Sequence, residues 1–176
     1  MTIICLNIYY HDVGTPLHVE LKSAKPFDLL EEETHLSIVR TAAVLEHAMA
    51  QVLKPYGLTS TQYNVLRILR GAGPAGLCRN EIGVRLLRQV PDVTRLLDRL
   101  TAMRVIGRQR TDTDRRLVRT HITPNGMAVL AELDAPVRAF HRSRLENLSR
   151  QKLHQLVETL SDVREQPAEA KREREK

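Results

Sequence analysis

The sequence predicts a mainly α-helical protein carrying one small β-hairpin, and three observations lead there. Apolar residues recur at helical spacing along most of the chain, as in Ile38, Ala42, Leu45, Met49 and Val52. Only two short stretches alternate as strands do, on either side of the turn TDTD at 111–114. The excess positive charge is concentrated rather than spread. Residues 85–119 hold ten arginines and four aspartates, which accounts for the whole net charge of +6.

The 176 residues suffice for one ordinary domain, or for a small domain with helical extensions. There is no apolar run of membrane-spanning length, and the start, MTIICLNIYYHDVG, lacks the basic and small-residue signature of a secretory signal. Cys5 and Cys78 stand far apart without a CxxC pair, which suits a reducing compartment. A cytoplasmic location is expected.

Element by element, a first long helix is expected over 31–54, ended by Pro55 and Gly57. In LTSTQY, Thr59 caps a second helix, Gln62 completes a capping box and Leu58 staples onto Tyr63; this helix runs to about Arg70. GAGPAG breaks the chain, and LCRNEIGVRLL gives a short third helix with Ile82 and Leu86 inward. Glu81 stands where a capping-box acid belongs, although Cys78 is a poor cap. In VPDVTRLLDRLTAMRV, Pro91 fits the first helical position, and Asp92 favours the positive end of the dipole. Val93, Leu96, Leu97 and Leu100 form one apolar stripe that leaves Arg88, Thr94, Arg95 and Arg99 outside it. The hairpin follows, bearing Arg108, Arg110, Arg115, Arg116 and Arg119. Thr123 then caps a long helix opened by Pro124, with Met127, Leu130, Leu133, Val137 and Phe140 on one stripe and a kink expected at Pro136. Ser149 caps a last helix with Leu153, Leu156, Leu160 and Val163, before a charged, disordered tail at 166–176.

The four acids of the basic segment are too few to neutralise its arginines, and a guanidinium fork suits phosphate oxygens or a guanine edge. Single strands and RNA are usually held by exposed aromatic rings, yet none of the two Phe and four Tyr falls inside the segment. Duplex DNA is the better match. Helix, turn, arginine-bearing helix and basic hairpin together outline a winged helix-turn-helix, whose helix fills a major groove while the hairpin reaches the adjacent minor groove or backbone. The flanking helices keep apolar stripes with no domain to cover them, and a homodimer would bury them.

From about Leu36 to Val163 the chain resembles the multiple-antibiotic-resistance regulator (MarR) family of bacterial transcription factors. The resemblance is carried, in order, by LTSTQYNVLRIL, VPDVTRLLDRL, Asp114–Arg116 (DRR) and ITPNGMAVLAEL. It implies a winged helix-turn-helix at 58–122 between dimerisation helices at 29–57 and 123–165, preceded by an extension of unknown role at 1–28. It also implies a non-enzymatic repressor that binds a palindromic operator as a homodimer, under a small-molecule effector, with no metal or cofactor. The residues expected at DNA are Arg88, Gln89, Pro91, Asp92, Thr94, Arg95, Arg99, Arg108, Arg110, Asp114, Arg115 and Arg116. The family's Asp-x-Arg wing motif falls on Asp114 and Arg116, with the acid bracing an arginine. His35, Arg40, His47 and Tyr63 are the polar groups near the expected effector cleft, each equally readable as structural. Two departures stand out. Met103 and Arg104 replace the family's Lys-Gly, so the helix-ending glycine is missing, and Gly83 replaces a usual alanine, which loosens the third helix.

Rival readings are weaker. GAGPAG satisfies GxGxxG but follows a helix and contains Pro74, so it is a linker. His11, Asp12 and His18 lack metal-ligand spacing, and neither cysteine lies where a redox sensor of the family would place it. No nucleophile or metal motif of an enzyme is present. A protein-interaction module of helical dimer type is the alternative, with its arginines serving only solubility.

Overall fold

A computed structural model describes residues 15–110 and 118–165. The chain forms two compact units that meet between Gln51 and Val52. In the first, a short helix α1 (Leu17–Glu20) precedes the long helix α2 (Leu30–Leu53). Glu20 reaches across to Arg40 at 2.7 Å, so α1 is tied to α2 by an ion pair.

The second unit takes in the end of α2 from Val52, followed by a 3-10 turn, Lys54–Tyr56, and helix α3 (Ser60–Ala72). The expected capping box is present: Thr59 Oγ1 accepts the Gln62 N–H at 3.2 Å, and Gln62 Oε1 accepts the Thr59 N–H at 2.9 Å. Helix α3 buries Tyr63, Val65, Leu66 and Leu69. Strand β1 (Leu77–Cys78) and helix α4 (Arg79–Arg85) follow. Glu81 accepts the Cys78 N–H at 2.7 Å, satisfying a helix-end donor as its position suggests. That bond, from the backbone of Cys78 above all, holds the Glu81 carboxyl below its ordinary range.

Helix α5 (Val93–Ala102) leads into strands β2 (Ile106–Arg110) and β3 (Val118–Ile122), then α6 (Pro124–Leu145) and α7 (Arg150–Arg164). Thr123 and Ser149 cap α6 and α7 as expected, accepting the Gly126 and Lys152 N–H groups at 3.1 and 3.2 Å. Helix α6 continues unbroken through Pro136. It buries Leu130, Leu133 and Val137, while Met127, on the same stripe, stays exposed.

Three findings depart from the sequence reading. The hairpin is part of a three-stranded antiparallel sheet in the order β1-β3-β2, with Leu77 opposite Thr120 and Arg110 opposite Val118. A two-residue strand has too little periodicity to be read from sequence. Asp92 is the N-cap of α5, and Pro91 stands one residue before it rather than at the first helical position. A carboxylate that can take the Arg95 N–H, at 2.8 Å, satisfies an end donor, which proline cannot do. The missing glycine does not change how α5 ends. Arg104 itself adopts the left-handed conformation, φ 59°. Its N–H reaches the Thr101 carbonyl at 2.9 Å and the Val105 N–H reaches Leu100 at 3.3 Å, the two bonds of a Schellman stop.

Candidate nucleic-acid interface

The interface is built on the amphipathic helix α5. Leu97 and Leu100 are buried, and Val93 and Leu96 half-buried, which turns Thr94, Arg95, Asp98 and Arg99 outward. Arg95 and Arg99 lie four residues apart, one above the other on the exposed side. Arg88 and Gln89 are exposed in the bend leading to the helix. The Leu87 N–H in that bend donates to Asn64 Oδ1 at 3.0 Å, fixing the turn against α3.

On the sheet, Arg108 and Arg110 share one side of β2. The Arg108 guanidinium holds Asp98 of α5 at 2.7 Å, joining the helix to the hairpin. Arg119 donates to the Gly76 carbonyl at 3.0 Å, so it ties β3 to the end of GAGPAG, whose first two residues close α3 and whose next three form a 3-10 turn. Gly76 is needed there. Its φ is +60°, and a Cβ would lie 2.5 Å from the Thr120 carbonyl oxygen. Asp114, Arg115 and Arg116 fall outside the described residues.

The structure adds two residues that the charge argument missed, Arg79 and Asn80 at the start of α4. Arg79 donates to Thr94 Oγ1 at 3.4 Å and to Asn80 Oδ1 at 3.3 Å. With Thr94 and Arg108 they rim a concavity of about 350 Å³ floored by Leu97 and Val118. Only folding brings them there, because Arg79 lies outside the arginine-rich segment and carries no motif of its own. Asp92, exposed at the start of α5, caps the helix.

The four candidate effector residues belong to both units. Tyr63 is buried in α3, in the second unit, whereas His35, Arg40 and His47 lie on α2 in the first. His35 and His47 are exposed, and Arg40 is engaged by Glu20. Among the described residues no three His, Cys, Asp or Glu side chains are grouped to hold a metal ion, and no helix is long and apolar enough to cross a membrane.

Comparison with known proteins agrees with this geometry. The family model described as MarR family matches residues 56–117. The uncharacterized HTH-type transcriptional regulator YkoM of Bacillus subtilis is 30% identical over 137 residues, covering 74% of this chain and 86% of that protein. Among solved structures, a MarR transcription factor from Planctomyces limnophilus is 34% identical, with a TM-score of 0.60 over 77% of this chain and 98% of its own. The fold is also that of S. aureus MepR, crystallised as a DNA complex: 21% identity, TM-score 0.68, 73% and 94% covered. An exposed arginine-bearing helix beside a three-stranded wing, in a chain with these relatives, belongs to the MarR family of DNA-binding transcriptional regulators, which are not enzymes.

Proposed function

We propose that the protein is a homodimeric repressor that occupies an imperfect palindrome, with a small-molecule effector weakening its hold on DNA. The observation that carries the reading is the exposed face of α5, where Thr94, Arg95 and Arg99 stand beside the arginines of β2. Two such helices about 34 Å apart, one DNA turn, would meet successive major grooves on one side of a duplex. The dimer is supported by α7, a 15-residue helix without a single buried residue, on which Val157 and Val163 are exposed. A second copy covering such a face is the usual solution for a soluble helical protein.

An effector acts only if it binds the two states unequally. His35, His47 and Tyr63 keep that candidacy; Arg40 joins them only if its ion pair with Glu20 opens. In the wing, Asp114 is assigned to bracing Arg116 or Arg115, which contact the backbone or the minor groove.

Selecting duplexes from a random pool with the purified protein tests the reading. The expected product is a palindrome whose affinity falls steeply with salt. Arg95→Ala should relax preference at one base pair by about 1 to 3 kcal/mol. Equal losses on selected and random DNA would refute the assignment of α5 as the recognition helix.

A further inference from the structure

Between α4 and the start of α5 lies a second concavity of about 350 Å³, walled by Arg79, Asn80, Val84, Pro91, Asp92 and Thr94. Gly83 and Val93 also line it, and a Cβ added to Gly83 would meet Val93 at an ordinary contact distance of 3.6 Å. Val84 is 84% exposed, so it contributes little to the core. Valine is also a weaker helix former than the long polar residues that would suit a solvated position. An exposed apolar side chain therefore stands among an arginine, an amide and a hydroxyl, continuous with the face assigned to DNA.

We propose that Val84 is a specificity-determining residue that receives the 5-methyl group of a thymine in the major groove. Arg79, Asn80 and Thr94 match acceptors on phosphates and base edges. Valine matches none of these, and the one apolar group that a duplex displays in its major groove is the thymine methyl. A phosphate at this place would favour a donor at position 84 instead. Pro91 and Val84 supply apolar surface to the groove, and its volume of about 350 Å³ admits a methyl-sized group. The proposal rests on α5 entering the major groove.

The test uses the full-length protein and the duplex it selects from a random pool, with each thymine replaced in turn by deoxyuridine, which lacks the methyl. For the wild type, one thymine in each half-site should show a loss of about fourfold, the worth of burying one methyl group. Val84→Ala should bind the unmodified duplex about fourfold more weakly per half-site and be indifferent to deoxyuridine at that position. Its affinity for random duplex and its salt slope should be unchanged. The idea is overturned if no thymine is sensitive in the wild type, if Val84→Ala keeps the sensitivity, or if the variant loses equally on random DNA. Failure of the underlying reading is separable: Arg95→Ala would then leave sequence preference intact, whatever Val84 does.

Discussion

Arg104 is a residue doing a glycine's work. For a side chain bearing Cβ the left-handed region costs about 1 to 2 kcal/mol, yet the Schellman bonds and the Arg104 carbonyl, which accepts the Thr123 hydroxyl at 2.8 Å, hold it there. Arg104→Gly should therefore stabilise the fold by about 0.5 to 1 kcal/mol after the extra entropy of an unfolded glycine is counted, read as a higher denaturant midpoint at unchanged slope. Gly126 is the opposite case. A Cβ on it would run into the Val105 carbonyl and lie 2.8 Å from Ile122. Backbone cannot yield as a side-chain tip does, so Gly126→Ala should cost about 1 to 3 kcal/mol in the same measurement. Gly83 faces ordinary contact only, and Gly83→Ala should raise stability by about 0.5 to 1 kcal/mol, firming a helix that its sequence leaves loose.

At the scale of elements, α3 and α6 are clamped by Arg70 and Asp134 through three hydrogen bonds of 2.9 to 3.1 Å. The Arg70 hydrogen bonds, helped by its charge and those of Arg67 and Arg138, hold the Asp134 carboxyl below its usual range. A depressed carboxylate stabilises the fold above its unfolded value, near pH 4, and loses that contribution as pH falls through the lower folded value. Both side chains are partly exposed, at 31% and 44%, so the clamp is worth less than about 1 kcal/mol. Asp134→Asn should lower the urea midpoint slightly at pH 7, and the gap from wild type should close as the pH is taken below the unfolded value of about 4. Thr59, Thr123 and Ser149 were legible from sequence because capping is local chemistry. Strand β1 and the Arg79–Thr94 contact were not, because both exist only once distant segments meet. Pro91 at the first helical position starts α5 too early, because the hydrogen bond that makes Asp92 the cap, from the Arg95 N–H, cannot be read from the sequence.

At the scale of the molecule, the order of elements and the basic face of α5 could be read from periodicity and charge, whereas the partners of individual arginines could not. Arg108 and Arg119 belong to one count of positive charge in the sequence, yet each is engaged with a different group in the fold. The unburied α7 leads to the expectation for the assembly. Removing residues 149–176 should unfold the protein or dissociate its dimer at micromolar concentration, and a well-folded monomer by light scattering, in either form, would count against the dimer.

Placing β3 between β1 and β2 has a mechanical consequence. The strand is held on both edges, at one side through the residues that launch α4 and at the other through the strand that Arg108 joins to α5. The hairpin cannot swing without shearing one ladder, and α4 cannot turn without dragging the other. Helix α5 and the wing are thus geared together through the sheet. In hydrogen exchange, the amides of β3 and of the buried turns of α3 should open in a single cooperative step, with no earlier opening of the sheet alone.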